Sequence, residues 1–223
     1  MLFKNNEIID SNIVEFKNKR FQVMMPWEKT YMEKCVEVLK PHGDVLEIGF
    51  GMGYSASAIN KYPIRSYTII EKDKNVIKNF NKWKLRQNTK KINLIEGMWQ
   101  IKLPLLNKKF DCIFFDDSPS SEIKNFNNVN RDLLFIKLIM FNNIKNNTKY
   151  VSYCTNNKWF YRGKLAKNFE QDIFKYQIKI PYYCRYAKGN YMYIDRLKFK
   201  KNCRFKNINF LNLLERKKIW KHK

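Results

Sequence analysis

From Trp27 to Leu39 apolar side chains recur every three or four positions, which predicts a helix, and Pro41-His42-Gly43 stops it. Beyond it, short apolar runs alternate with helical periodicities. Strands are expected over Val45–Gly49, Tyr67–Glu71, Ile92–Glu96, Phe110–Asp116 and Tyr150–Cys154, and helices over Tyr54–Lys61, Asn75–Arg86 and Val129–Ile144. Such an alternation predicts an α/β fold with a doubly wound, Rossmann-like, mostly parallel sheet. Two late β-rich runs, Tyr176–Ile180 and Tyr191–Phe199, are expected to close it as an antiparallel pair. Residues 1–20 read as an irregular polar arm and 21–199 as one domain. Residues 200–223 form a basic extension in which Ile208, Leu211, Leu214 and Ile219 stand at helical spacing.

In an open α/β sheet, ligands sit outside the carboxyl ends of the strands. Gly49, Glu71, Trp99, Asp116 and Cys154 all fall on that edge. The stretch Asp44-Val-Leu-Glu-Ile-Gly-Phe-Gly-Met-Gly-Tyr54 sets an apolar strand against a glycine turn that opens a helix. Glycine allows positive φ and close approach of a ligand to the backbone. A dinucleotide fingerprint needs its third glycine at 54, which is Tyr, so a diphosphate is disfavoured. About twenty residues on, Glu71 ends a strand where a carboxylate can accept the ribose hydroxyls of a nucleoside cofactor. Glu47 just before a G-x-G-x-G turn resembles motif I of class I methyltransferases. Their ligand, S-adenosylmethionine, carries a sulfonium and an ammonium and no phosphate. The resemblance implies S-adenosylmethionine as cofactor, with S-adenosylhomocysteine as product.

Composition narrows the setting. Cys35, Cys112, Cys154, Cys184 and Cys203 are scattered, with no C-x-x-C, and His42 and His222 are the only histidines, so neither a disulfide framework nor a metal site is expected. The start Met-Leu-Phe-Lys-Asn-Asn-Glu is too polar for a signal peptide, and no apolar run reaches the roughly 20 residues of a membrane span. A cytoplasmic protein, monomer or homodimer, is expected. The net charge of +24 has two readings: a field for nucleic acid, or the Lys-, Asn- and Ile-rich usage of an AT-rich genome. The extension concentrates the excess, with nine Lys or Arg against the single Glu215, and is the better nucleic-acid candidate, association with a membrane surface being the weaker alternative.

The run Phe110-Asp-Cys-Ile-Phe-Phe-Asp116-Asp-Ser-Pro119 delivers two carboxylates to the same edge. Three chemistries use an acid there. One orients a nucleobase amine, but Pro119 stands alone and Ser120 follows it, so no stacking platform for a flipped base is evident. A second holds Mg²⁺ for O-methyl transfer, for which Cys154-Thr-Asn-Asn157 offers few oxygen ligands. The third binds and deprotonates a cationic amine or guanidinium, and it gains from another acid, Glu28, in Val23-Met-Met-Pro-Trp-Glu-Lys-Thr-Tyr-Met32.

Here the chain resembles the guanidinoacetate N-methyltransferase family. The likeness runs through Val23-Met24, Trp27-Glu28, Tyr31-Met32, Val45-Leu-Glu-Ile-Gly-Phe-Gly-Met52, Ile69-Ile-Glu71, Gly97-Met-Trp99, Phe110-Asp111 with Asp116, Tyr153-Cys154, Trp159 and Cys184-Arg-Tyr186. The resemblance implies that Glu28 and Asp116 grip the guanidino group. It sets Met24, Met32, Glu47, the turn Gly49, Phe50, Gly51, Met52 and Gly53, then Glu71, Met98, Trp99 and Asp116 around the cofactor. Elementary chemistry agrees, since a guanidinium and a sulfonium brought within attacking distance need compensating negative charge away from water. Asp116 is assigned as base and Glu28 as clamp. Spacing alone makes Trp27 and Met32 ordinary packing residues, and the resemblance makes Trp27, Met24 and Met32 walls around the methyl group, with Trp27 also on the substrate side. Trp99 reads either as an adenine stack or as a core indole.

Departures cluster on the acceptor side. The family has threonine where Asp117 stands, and Thr155-Asn-Asn157-Lys158 replaces its donors to the substrate carboxylate. Asn157 and Lys158 are candidate substrate ligands, Lys158 by charge; Asp117 would repel a carboxylate or extend the pocket towards a second cation. The expected activity is N-methylation of a small guanidino compound, guanidinoacetate to creatine above all. A protein arginine side chain is the first alternative, because arginine methyltransferases of a related type share the Trp-Glu segment and the glycine turn. A nucleic-acid methyltransferase using the basic surface is the second, and a binding protein that has lost turnover the third.

Overall fold

The computed structural model describes residues 14–15, 22–87, 91–117, 128–153, 160–161, 163–184, 186–201 and 203. A small antiparallel pair, β1 (Val14–Glu15) and β2 (Gln22–Met24), precedes α1 (Glu28–Leu39). The chain then runs through β3 (Gly43–Ile48), α2 (Tyr54–Ile59), β4 (Ile64–Glu71), α3 (Lys74–Lys84), β5 (Ile92–Glu96), α4 (Trp99–Leu105) and β6 (Phe110–Phe115). It finishes with α5 (Asn128–Asn142), β7 (Ile144–Tyr153), α6 (Gly163–Ala166), β8 (Phe169–Gln177) and β9 (Tyr191–Phe199). The seven-stranded sheet has the order β5-β4-β3-β6-β7-β9-β8; β5 to β7 are parallel, and β9 pairs antiparallel with β7 and β8.

The continuous apolar runs follow from burial on both faces. Val45, Tyr67, Ile69, Cys112 and Phe114 point to the core beneath α1, α2 and α3, while Leu46, Ile48, Ile70, Ile113 and Phe115 point to the core beneath α4 and α5. The chain winds outward from β3 to β4 and β5 on one side and from β6 onward on the other. The carboxyl ends of β3 and β6 therefore border the crevice where the winding reverses.

Four sequence expectations shift. The first closing strand is Phe169–Gln177, not Tyr176–Ile180; Ile178 and Ile180 continue only through isolated bonds from their N–H groups to Asn190 and Gly189 carbonyls. The strand expected from Tyr150 begins at Ile144. An unforeseen short helix, α4, carries Pro104 within its last turn. Part of the supposedly irregular arm is the strand β1. The expected C-terminal helix lies outside the described residues, as does Cys154; the other four cysteines are free and buried. Among the described residues no helix is long and apolar enough to cross a membrane.

Candidate active site

The turn after β3 holds the crevice open by backbone geometry. Gly49 has φ +82°, and a Cβ there would stand 2.3 Å from the Asp116 carbonyl oxygen, so the turn passes directly against the end of β6. Gly51 has φ +53°, and its missing Cβ leaves room for Met24, whose Cε and Sδ would lie 2.8 Å from it. The Met24 thioether also accepts the Met52 N–H at 3.2 Å, fastening β2 over the turn. Phe50 is buried against Phe80 and Trp83 edge-on, which fixes the turn to α3, and the Phe50 ring occupies the space a Cβ at Gly53 would need.

Glu71, at the end of β4, accepts the Phe50 N–H at 2.9 Å with one oxygen and the Lys72 and Asp73 N–H groups at 2.7 and 2.8 Å with the other. Burial pushes its pKa up, and those three backbone donors pull it back. Of about four lone-pair sites on a carboxylate, one stays open to a ligand hydroxyl. Its own carbonyl accepts the Gly97 N–H at 2.8 Å, which brings Met98, the N-cap of α4, to the same edge.

Glu28 opens α1, where a carboxylate is favoured by the helix dipole. It is 1 % exposed, and its two oxygens accept the Met25 N–H at 2.6 Å and the Tyr153 hydroxyl at 2.8 Å. Burial outweighs those bonds and raises its pKa to about 7. Asp116 follows β6, held by its N–H to the Ile48 carbonyl at 3.0 Å. Half-buried, it has no hydrogen-bond donor on its carboxylate among the described residues. Its pKa is pushed well up, first by desolvation and then by the charge of Glu28, with smaller contributions from Glu47, Asp117 and Glu71. In a chain of net charge +24 these acids share one edge of the sheet. Such a group can receive a cation, which relieves the repulsion and restores both carboxylates to their ionised form.

Two buried donors lack hydrogen-bonded acceptors beside Glu28: the Trp27 indole N–H and the Tyr186 hydroxyl, whose rings stack at 6.3 Å and 27°. Burial pushes the Tyr186 hydroxyl pKa up, and the neighbouring charge of Glu28 adds to the rise. Tyr54, half-buried at the start of α2, also feels Glu28.

Three expected cofactor residues face inward. Glu47 is fully enclosed, its oxygens accepting the Ser55 and Tyr67 hydroxyls, and burial raises its pKa to about 8; it ties α2 to the sheet behind the turn. Met32 is fully buried in the core under α1. Trp99 is the core indole of its two readings, 4 % exposed and edge-on to Phe115 and Phe135 at 5.6 and 5.2 Å. Asp117 is corrected as well. Its carboxylate takes a 2.9 Å ion pair from Arg131 of α5, so it is neither a bare repulsive charge nor a site for a second cation. Asn157, Lys158 and Trp159 lie outside the described residues.

Sequence reading gave no role to Tyr153, although the end of β7 on the site edge signals one, and it missed Arg131, for which nothing local in the sequence speaks. Among the described residues no cluster of three metal-ligating side chains occurs.

Comparison with known proteins fits this geometry. A family model described as guanidinoacetate N-methyltransferase matches residues 10–211. Protein arginine N-methyltransferase 2 of Candida glabrata is 33% identical over 111 residues, 45% of this chain; the chain spans only 26% of that relative. Among solved structures, a putative O-methyltransferase from Klebsiella pneumoniae superposes with TM-score 0.53 at 10% identity, over 79% of this chain and 81% of that one. Spermidine synthase from Thermotoga maritima gives 0.57 at 16% identity, over 90% and 71%. The fold is that of the class I, Rossmann-like methyltransferases.

Proposed function

The chain belongs to the guanidinoacetate N-methyltransferase family, and from that membership we propose that it methylates a guanidino nitrogen of a small substrate, guanidinoacetate giving creatine or a close analogue. One observation carries the reading. Glu28 of α1 and Asp116 after β6, 88 positions apart in sequence, both lie near enough to the Tyr153 hydroxyl at the site edge for their charges to act on it, and burial followed by the charge of Glu28 pushes the Asp116 pKa up.

The donor set suits S-adenosylmethionine. Residues 49–54 carry no lysine or arginine to hold phosphates, and Glu71, Glu28 and Asp116 favour a cationic ligand with ribose hydroxyls. When bound, S-adenosylmethionine supplies an electrophilic methyl group on its sulfonium. Glu28, oriented by Tyr153 and the Met25 N–H, retains free lone pairs to accept a pair of guanidinium N–H groups and hold the plane of that group. Asp116 faces the attacking nitrogen and takes its proton as the new N–C bond forms, because a guanidinium has no lone pair to spare. Alignment of nitrogen and methyl carbon contributes several kcal/mol to lowering the barrier, to the order of magnitude known for oriented intramolecular reactions. The Trp27 N–H, which meets no acceptor among the described residues, is a donor suited to the anionic end of such a substrate.

A second reading, a protein arginine side chain as acceptor, is favoured by the similarity to the Candida glabrata arginine methyltransferase. Transfer of a labelled methyl group to guanidinoacetate, to an arginine-rich peptide and to RNA, each with Asp116→Asn alongside, separates these acceptors. Label in guanidinoacetate that vanishes in the variant supports the small-molecule reading; label confined to peptide or RNA overturns it.

A further inference from the structure

At the opposite end of the strands from Asp116 lies a cavity of about 330 Å³. Lys109 stands just before β6, Lys145 early in β7 and Lys200 just after β9, which runs antiparallel to β7, so all three reach this one edge. Six residues of strand separate Lys109 from Asp116, about 20 Å at the rise of an extended chain. Met140 and Phe141 form an apolar wall, Phe141 being 43% exposed, and Asn142 adds an amide. Among the described residues no acidic side chain lines the cavity. Lys145 is held from behind by Asp44 and Asp111 at 2.8 and 2.7 Å. Among the described residues, Lys109 and Lys200 meet no carboxylate.

We propose that this cavity binds one nucleotide of a single-stranded nucleic acid, its phosphate on Lys109 and Lys200 and its base against Phe141. Uncompensated ammonium groups beside an exposed ring match the two halves of a nucleotide, and stacking on an aromatic side chain accepts any base. A strand rather than a free nucleotide is the occupant because the two cations leave from separate segments at an open edge, and the +24 field can hold neighbouring phosphates as well. The site is independent of the methyl-transfer centre, so nucleic acid here is a bound partner and not the methyl acceptor.

Fluorescence anisotropy of the full chain with a labelled single-stranded RNA of about twelve nucleotides tests this. Lys109→Glu with Lys200→Glu is compared with the charge-matched pair Lys61→Glu with Lys82→Glu, exposed lysines outside the cavity. The cavity pair should weaken binding by about tenfold or more and lower the salt slope by about 0.7, the value for one phosphate contact on a single strand. The control pair should stay within about threefold, and Phe141→Ala should weaken binding severalfold with the salt slope unchanged. Guanidinoacetate methylation and the melting temperature serve as folding checks and should stay at wild-type values. Equal losses in the two lysine pairs, no effect of Phe141→Ala, or competition by free AMP as effective per nucleotide as the strand would each overturn the proposal.

Discussion

The Tyr153 hydroxyl donates to Glu28 Oε1 at 2.8 Å, joining the end of β7 to the first turn of α1 across the candidate active site. This bond favours the ionised form of Glu28, against a burial that raises its pKa to about 7. Tyr153→Phe should therefore lower kcat/KM by about tenfold, the scale of a hydrogen bond to a charged group. It should also move the acidic limb of the pH profile upward. A drop in activity with the limb unmoved would leave Tyr153 a packing residue.

Asp116 and Glu28 both have raised pKa values in the free protein, so the ionised pair that the proposed mechanism needs forms only as pH climbs. The profile of kcat/KM should rise towards and beyond pH 7. That of kcat should have its limb at lower pH, because a bound guanidinium pulls both carboxylates down. Asp116→Asn should reduce kcat by at least about a thousandfold while S-adenosylmethionine binding, measured calorimetrically, changes little. Coincident limbs for the two parameters would sink the shared-cation account.

Gly51→Ala meets two obstacles: the positive φ of +53° and the Met24 side chain at 2.8 Å. The expected cost is about 1–3 kcal/mol, together with a loss of cofactor affinity. Adding Met24→Ala should return only the steric part. Full recovery in the double variant would show that φ strain is not felt there.

Arg131 neutralises Asp117 in an ion pair exposed by only 7% and 11%. Arg131→Gln strands that carboxylate beside Asp116 and should destabilise the fold by about 3–5 kcal/mol, as breaking buried pairs does. It should also raise KM for an acceptor that carries a carboxylate. Removing the stranded charge as well, with Asp117→Thr, should recover most of both losses. If the double variant is as damaged as the single one, the pair is not the reason.

Glu47 has a folded-state pKa of about 8 against the ordinary 4.5. The folded state therefore binds a proton that the unfolded chain gives up, and the associated stability is full below pH 4.5 and lost as pH rises through 8. Thermal melts should fall between pH 5 and 9, and Glu47→Gln should flatten that fall. An unchanged slope would assign the pH dependence to other acids, such as Asp195 at about 7.

Much of this was legible before any coordinates. Strands such as Phe110–Phe115 announce themselves because both their faces are buried, and glycines at 49, 51 and 53 mark the turn by their rarity. The edge strand β8 escaped notice because Glu170, Asp172 and Lys175 fall on both its faces and break its apolar run, and α4 because seven residues ending near a proline give little periodicity. The direction of Glu47 could not be read, since it depends on Tyr67 of the neighbouring strand. Nor could the Asp117–Arg131 pair, whose members come from β6's end and a separate helix.

The carbonyl of Asp116 stands where Gly49 would carry a side chain. A side chain at position 49 would collide with the main chain of residue 116 whatever residue stands there, so Gly49 should resist replacement even in company with a change at 116. Glu28, Trp27, Tyr153 and Tyr186 come from the start of α1, the end of β7 and the segment between β8 and β9. On the proposed reading, changes among these four would shift acceptor preference and leave methyl transfer in place.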